Sequence, residues 1–334
     1  MPNTLVHIAA QGALTKAAVP RAPLHLVYAG CLIPDIPWIL QRATRTLLPG
    51  IDPYDLRAYA VAQTSLAMSL LLCASIALMT LRPLQSFSVL ASGSLLHLLL
   101  DACEIKWANG VTLLAPFDWR LVQFNWIWPE HWIITVLTLC GAVFFVALLP
   151  RALAEPLAWT RTPRRWMAAV AGVAAYFALP VLGINAATAA DNHFVQILAS
   201  PHRTGRYVEF DRVPCVPDAG GGRIRTFAGE RLQLSGADVE GNATVSIRGR
   251  FVDEQTVAVL AMHVHTPAAR DVASCIGILM IVGLWGAKLA GWKSRDEKHP
   301  TSREQPGMCD WRFAIDAGIG GPAVRSAAVL SRST

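Results

Sequence analysis

Long apolar runs separated by short polar segments dominate the sequence. Five runs stand out, at about 64–81, 87–100, 133–149, 167–184 and 272–289. A helix needs about 20 consecutive apolar residues to cross a bilayer, where it satisfies all of its own backbone hydrogen bonds. The pattern therefore predicts a protein that crosses a membrane several times.

Two shorter runs, 4–20 and 22–34, precede the strong ones. Both are short for complete spans, which favours a helical hairpin that inserts partway or packs against other helices. The second run ends where Pro34 and Pro37 flank Asp35. Two prolines predict a break in the backbone that holds this carboxylate on a rigid turn. A plain helix-ending aspartate is the alternative interpretation.

The polar segments differ in character. Residues 41–62 carry several charges, which indicates a surface loop or an interfacial helix. Residues 102–131 are rich in tryptophan, which is typical of the membrane–water interface. Residues 203–265 show strand-like alternation, clearest at 244–252 and 256–264, with glycine-rich turns between the runs. This last segment predicts a small β domain.

The predicted fold is mainly α: a polytopic membrane helical bundle with an inserted small β domain, barrel or sandwich-like, outside the membrane. The predicted divisions are a helical membrane domain at 1–150, a basic loop and span at 151–190, the β domain at 191–270, a last span at 271–291 and a disordered tail at 292–334. The tail is assigned to disorder because it shows no convincing periodicity.

Composition and charge agree with a membrane protein whose partner is the lipid bilayer. Apolar residues make up 53% of the chain and charged residues only 16%. The net charge of +6 does not predict nucleic-acid binding, because the basic residues flank the apolar runs. Arg82, the 151–165 loop and the 293–298 segment are the basic ends, which the positive-inside rule assigns to the cytoplasm. The 101–131 loop and the β domain then fall on the external face. The seven cysteines form no CxxC pair, so neither a disulfide framework nor a thiolate zinc site is predicted.

Candidate chemistry begins with His97 and Asp101, four residues apart at the end of an apolar run. On a helix this spacing places both side chains on one face. The predicted topology puts His7 and Asp35 on the same side of the membrane. Two imidazoles and two carboxylates suit a divalent metal ion, zinc or alternatively manganese, with room for a reactive water. The alternative is a hydrogen-bonded pair that fixes a helix end.

Two further groups are weaker candidates. Glu130 and His131 begin the 133–149 run and could support the metal ligands or act as acid and base. A helix-start glutamate and an interfacial histidine are the favoured interpretation of this pair. His263 and His265 alternate onto one strand face and could bind metal, but a solvent-facing position is favoured for them.

Several short pieces together resemble the membrane-bound, metal-dependent hydrolase family, also called LexA-binding inner-membrane-associated hydrolases. The pieces, in order, are His7 on an N-terminal helix, the turn Pro34-Asp35, the pair His97-x-x-x-Asp101, the segment 110–117 with its Leu-Leu-x-Pro-Phe, and Trp119-Arg120 behind it. The resemblance covers roughly residues 1–150. It implies a multi-pass hydrolase of the bacterial inner membrane, with the β domain extracytoplasmic and the C-terminus cytoplasmic.

One departure from the family pattern concerns a His-Arg-Gly-x-Thr-His-Ser element before the first strong span. The corresponding stretch is 62–65, where Gln63 replaces the second histidine and the first is missing. Glutamine substitutes poorly for imidazole at a transition metal. The resemblance therefore leaves two alternatives. Either the metal ligands are reduced to the four residues named above, with or without His131 as a further ligand, or the protein has lost catalysis.

The leading hypothesis is a metal-dependent hydrolase of an ester or phosphoester at the external membrane face. This location suggests a lipid-linked substrate or one that belongs to the cell envelope. The alternative is a non-catalytic membrane scaffold that has a degenerate metal site and binds a partner through its β domain. A transporter with an intramembrane ion site is a third interpretation. It is disfavoured because the spans show no obvious inverted repeat.

Overall fold

A computed structural model describes residues 3–191, 193–218, 221–266 and 269–298. The predicted disordered tail lies outside the described residues from position 299 onward. The helices of the first half are α1 (Thr4–Ala18), α2 (Leu24–Gly30), α3 (Ile36–Leu47), α4 (Pro53–Gln63), α5 (Leu66–Leu78) and α6 (Pro83–Cys103), with a 3₁₀ turn (Ile33–Asp35) between α2 and α3. The remaining helices are α7 (Trp132–Ala154), α8 (Pro163–Ala178), α9 (Pro180–Ala190), α10 (Val195–Leu198) and α11 (Ala269–Lys298).

Four stretches of helix are long and apolar enough to cross a membrane, by length and composition. They are Pro83–Cys103, Trp132–Ala154, Pro163–Ala190 and Arg270–Gly291. Their outer surfaces remain apolar: on α7, for example, Leu139, Val143 and Val146 are exposed. Exposed apolar surface of this extent is the kind that lipid covers. The prediction of a mainly helical protein with several helices able to cross a membrane is confirmed.

The predicted span at 64–81 is not one straight helix. Helix α5 has only 13 residues, and it meets α4 at a 65° bend; by length and composition the pair can form a broken span or a re-entrant loop. The break lies at Ser65, whose extended backbone and side chain cap the start of α5 by accepting a hydrogen bond from the Met68 amide. The prediction of a surface loop or interfacial helix at 41–62 is therefore wrong for α4, where Ala58, Ala60 and Ala62 are buried.

The β domain contains five strands. They are β1 (Tyr207–Asp218), β2 (Gly221–Arg225), β3 (Arg231–Ser235), β4 (Ala243–Phe251) and β5 (Thr256–His265). Strand β1 pairs with β2 and β4, β2 with β3, and β4 with β5, all antiparallel, while β3 pairs with β5 in parallel. The alternation seen in the sequence places Leu232, Leu234, Val245 and Ile247 in the domain's core.

Close helix packing positions the residues of interest in the membrane part. A side chain at Gly141 of α7 would overlap the Leu5 carbonyl of α1, because a Cβ there would lie 1.9 Å from that oxygen. Gly30 of α2 and Gly93 of α6 also face each other, since a Cβ on Gly93 would lie 3.2 Å from the Gly30 Cα. These glycines let α1 approach α7 and α2 approach α6 at backbone distance.

The segment between α6 and α7 contacts the β domain directly. The Ala108 amide donates to Glu209 Oε2 at 2.8 Å, and Asn109 Nδ2 donates to Asp211 Oδ2 at 2.8 Å. Trp107 is buried beneath Arg248, whose guanidinium carbon lies 4.7 Å from the ring centroid. At least this tryptophan therefore packs against protein, whereas Trp126 is 70% exposed, as an interfacial ring would be.

Candidate metal centre

The structure brings together the four residues that the sequence singled out. His7 comes from the first turn of α1, Asp35 from the 3₁₀ turn, and His97 and Asp101 from the last two turns of α6. Both histidines are fully buried, while Asp101 and Asp35 are 4% and 9% exposed. Asp35 does not cap α3, although it precedes it, so its carboxylate is not used for a helix end.

Three distances define the cluster. His7 Nε2 lies 3.5 Å from Asp101 Oδ1, and His97 Nε2 lies 3.5 Å from Asp35 Oδ1 and 3.9 Å from Asp101 Oδ2. Ligands bound to one tetrahedral zinc at about 2.0–2.2 Å are roughly 3.4 Å apart, which is close to these values. The two imidazole rings stack in parallel with centroids 3.7 Å apart. A shared ion therefore requires one or both rings to tilt.

The protonation of His97 follows from its other nitrogen. Nδ1 lies 2.8 Å from the Cys31 carbonyl oxygen, which can only accept, so Nδ1 carries the hydrogen in the neutral ring. The Nε2 lone pair is then directed at Asp35 and Asp101. A lone pair that faces two carboxylates is repelled unless a proton or a metal ion lies between them. A carbonyl behind the far nitrogen is the usual support of a metal-bound histidine.

Gln11 performs the same task for His7. It lies one helical turn further along α1, and its side-chain amide is 3.2 Å from His7 Nδ1. With its oxygen turned towards this nitrogen, Gln11 accepts from Nδ1–H and leaves the Nε2 lone pair for the cluster. In the opposite orientation the Gln11 oxygen has no partner among the described residues.

Three inward-facing atoms of the cluster lack a hydrogen-bond partner within the described part of the chain: His7 Nε2, His97 Nε2 and Asp101 Oδ1. A buried polar atom without a partner costs about 1–3 kcal/mol. Three such atoms directed at one point fit a bound cation, since two nitrogens and a carboxylate oxygen are what a borderline divalent ion takes as ligands.

A buried lysine beside the cluster was not predicted from the sequence. Lys106 Nζ lies 3.6 Å from Asp101 Oδ2 and 3.7 Å from Glu104 Oε2, and the side chains of Lys106 and Glu104 are buried. Burial alone would lower the pKa of Lys106, but the two carboxylates raise it above its ordinary value. A permanent positive charge thus shares Asp101 with the two histidines.

Glu130 and His131, which were predicted to support the metal ligands or to act as acid and base, do not belong to this cluster. Among the described residues, neither Glu130 nor His131 makes a hydrogen bond or ion pair with His7, Asp35, His97 or Asp101. His131 caps α7 by accepting from the Ile133 amide. Gln63, which occupies the place of the family's histidine, donates to the Tyr176 carbonyl. His131 and Gln63 are therefore both engaged in the structure around them.

Glu130 belongs to a second polar group, with His263 and His265. Glu130 Oε1 accepts from His265 Nδ1 at 2.6 Å, and Glu130 Oε2 lies 3.4 Å from His263 Nε2. The expectation that these histidines face solvent is wrong for His265, which is 5% exposed. His263 instead stacks on Trp128 with ring centroids 3.8 Å apart. The three residues could also hold an ion by their spacing.

Hydrogen bonds extend this second group into the β domain. His265 Nε2 lies 2.8 Å from Ser246 Oγ, which is also 3.0 Å from Asp211 Oδ1. The order Glu130, His265, Ser246 matches that of a serine nucleophile with its base, but Ser246 is fully buried. A buried hydroxyl cannot reach a substrate, so the chain of bonds joins the β domain to the start of α7.

The ionisation of this second group is set by its contacts. Burial lowers the pKa of His265 below its usual value more than the Glu130 carboxylate raises it. Burial alone would raise the pKa of Glu130, but hydrogen bonds from His265 and His263 hold it below its usual value. At neutral pH the pair is therefore a neutral imidazole that donates to a carboxylate.

No family model, curated protein or solved structure matches this chain. The resemblance to the membrane-bound hydrolases therefore depends only on the short pieces within residues 1–150. Only the geometry of the site itself bears on the function of this chain.

Proposed function

We propose that this protein is a metal-dependent hydrolase of the bacterial inner membrane that acts on an ester or phosphoester. The observation that carries the proposal is the pair of buried ring nitrogens, His7 Nε2 and His97 Nε2, directed at Asp35 and Asp101 without hydrogen-bond partners. A divalent ion held there, zinc or manganese, would acidify a bound water and polarise a phosphoryl or acyl oxygen. Gln11 and the Cys31 carbonyl orient the two rings for this purpose.

Two clefts give access to the site. Asp101 lines one cleft, and Asp35 lines a second between α3 and α11. The second cleft includes the side chains of Ile39 and Ile278. An apolar wall beside a candidate ligand supports a substrate with a lipid part, bound where the membrane helices meet the β domain.

We further infer that the site and the β domain lie outside the cytoplasm, because the basic segments flank the opposite helix ends. The ring of strand pairings fits a small barrel. Membrane-impermeant maleimide on intact cells tests the orientation through two exposed positions, one just before β1 and one in the first turn of α8. His202→Cys should be labelled in intact cells and Arg164→Cys only after lysis, with the unchanged chain as background. The reverse pattern would invert the topology.

Lys106 supports a second candidate function, a non-catalytic scaffold. Its ammonium lies 3.6 Å from Asp101, so a lysine, two histidines and the carboxylates could form a self-contained charge network. In that case Lys106→Met leaves buried carboxylates unpaired and destabilises the fold by about 3–5 kcal/mol. In the metal-bound protein a divalent ion still neutralises Asp101, so the loss of stability should be much smaller in the presence of zinc.

The deciding measurement is the metal content of the detergent-purified chain by mass spectrometry. We expect about one zinc or manganese ion per chain, lost in His97→Ala and Asp101→Ala. His202→Ala is the matched control, because it removes an exposed histidine of the β domain. Absence of metal from the unchanged chain, even after reconstitution with zinc or manganese, would favour the scaffold.

A further inference from the structure

A strongly basic cleft adjoins the candidate metal centre. It has a volume of about 300 Å³ and is bordered by α3, α4, the segment after α6, strand β1 and the start of α11. Its cationic side chains are Arg42, Arg45, Arg57, Lys106, Arg212 and Arg270. Asp101 forms part of the same wall, so whatever the cleft holds lies beside a proposed metal ligand.

The charge of the lining favours an anion. Six cationic side chains and three carboxylates, Asp101, Asp211 and Asp271, line the cleft. Glu104 and Glu130 pair with Lys106 and Arg212 from behind, which still leaves an excess of one positive charge. Among the described residues Arg42, Arg45 and Arg57 form no ion pair, so these three guanidinium groups are the ones that can take an anion. Like charges in a concave, partly buried site repel one another, and a bound anion relieves that repulsion. A neutral carboxylic ester would gain nothing from this excess, whereas a phosphoester would.

Arg57 provides a second, independent observation. It is 9% exposed, yet no carboxylate among the described residues lies within ion-pair distance of its guanidinium. Its guanidinium carbon lies 4.8 Å from the Phe194 ring centroid and 5.3 Å from that of Phe227, and one terminal nitrogen donates to Asn109 Oδ1. Within the described part of the chain, its Nε–H has no hydrogen-bond partner.

A buried guanidinium without a carboxylate is unusual, because burying a charge is costly unless it is paired. The aromatic rings fix the plane of the Arg57 group and leave donor capacity in the wall of the cleft. A planar, preorganised fork of this kind matches the oxygens of a phosphate. Arg57 is thus positioned as an oxyanion ligand that is not satisfied by the protein itself.

We propose that this cleft binds the phosphate of a phosphoester substrate, with Arg57 and Arg42 as ligands, next to the metal centre. The inference rests on the proposed function and narrows its substrate class from esters in general to phosphoesters. Arg42 lines both this cleft and the one that contains Asp35, whose wall includes Ile39 and Ile278. A phosphate at this junction can place a lipid chain against these apolar side chains, or it can belong to a soluble molecule.

The test is binding of inorganic phosphate to the full chain in detergent, measured by isothermal titration calorimetry at low salt. Arg57→Gln removes a charge-assisted donor and should weaken phosphate binding about tenfold or more. Because Arg57 is buried, Arg42→Gln at an exposed position serves as a second variant that keeps the fold, and it should also weaken binding. Arg231→Gln, an exposed arginine of β3, is the charge-matched control and should bind as the unchanged chain does.

Competition identifies the source of the phosphate. Stronger displacement of phosphate by phosphatidate in mixed micelles than by p-nitrophenyl phosphate indicates a lipid headgroup, and equal displacement indicates a soluble phosphoester. Displacement by neutral diacylglycerol as effective as that by phosphatidate would overturn the proposal, as would phosphate binding that is undetectable or unchanged in both arginine variants. Phosphate binding is also measured in His97→Ala, which tests the metal site and the anion site separately. Loss of metal with phosphate binding retained would show that the anion site exists independently of the metal.

Discussion

At the scale of single residues, the candidate centre depends on which ring nitrogen carries the hydrogen. The Cys31 carbonyl fixes this for His97, and Gln11 can fix it for His7. Both histidines then present Nε2 to Asp101, and His97 presents it to Asp35 as well. A pair of imidazoles oriented in this way from behind is preorganised for an ion, which a simple histidine–aspartate hydrogen bond does not require.

Removing the amide of Gln11 should weaken metal binding without removing a ligand. We expect Gln11→Leu to raise the zinc dissociation constant about 10- to 100-fold, because His7 loses the partner that orients its ring. Competition with a chelating dye measures this constant. Gln63→Leu is the control, since Gln63 is equally buried but donates to the Tyr176 carbonyl. Equal effects of the two variants would contradict the positioning role of Gln11.

The residue pattern reveals part of this site and hides the rest. His97 and Asp101 could be predicted from the sequence because residues four apart lie on the same face of a helix. Gln11 could have been found in the same way, since it lies four residues after His7. Lys106 and Arg57 could not, because an isolated basic residue in a loop or on a polar helix is usually exposed. Lys106 is buried against Asp101 and Glu104, and Arg57 is buried against Phe194 and Phe227, which lie far along the chain. No local pattern encodes such long-range contacts.

At the scale of helices, glycine contacts set the position of the ligands. Gly141 lies against the Leu5 carbonyl, one half-turn from His7 on α1, and no side chain fits between them. Gly30 and Gly93 bring α2 against α6, where the Cys31 carbonyl meets His97. The distances within the cluster are therefore set by backbone contact between helices, which a single methyl group can disturb.

Gly141→Ala should displace α1 and separate His7 from Asp101. Overpacking of this kind costs about 1–3 kcal/mol, and we expect both a lower unfolding temperature in detergent and a substoichiometric zinc content. Gly283→Ala on α11 is the control, because a Cβ there meets no atom within 4 Å. If Gly141→Ala kept the full zinc content, the close packing of α1 on α7 would not be needed for the site.

The element-level predictions succeeded where the periodicity was unambiguous. The apolar runs gave α6, α7 and α11 nearly at their observed positions, and the period-two alternation gave β4 and β5. The bend between α4 and α5 was missed, because the charges at 41–62 favoured a surface segment, although the polar residues Gln63, Thr64 and Ser65 mark the break between two helices. The parallel pairing of β3 with β5 is a long-range contact that local patterns do not specify.

At the scale of the whole molecule, two of the places where the helical part contacts the β domain are rich in charged side chains. One is the basic cleft beside the metal centre, and the other is the group of Glu130, His263 and His265 at the start of α7. Because Ser246 extends the second group into β4, its hydrogen bonds tie the two parts together. The relative position of the parts, and so the shape of the cleft, should depend on the ionisation of this group.

This dependence gives a prediction for pH. The pKa of His265 in the folded protein is lowered from its ordinary value of 6.5. Between the pKa of the folded chain and that of the unfolded chain, the unfolded chain binds more protons, so acid destabilises the fold. Glu130 acts in the same direction below its ordinary value of 4.5, because its pKa is also lowered. The contribution of the pair is thus complete above about pH 6.5 and is lost progressively as the pH falls.

Thermal unfolding in detergent at pH 7.5 and 5.5 measures the effect. We expect the full chain to lose stability at pH 5.5, and His265→Gln to lose less between the two values, because the variant has no group to protonate there. His202→Gln should keep the full pH dependence, since this histidine is exposed. If His265→Gln and His202→Gln show the same slope, then other groups, and not the junction at the start of α7, govern the response of the protein to acid.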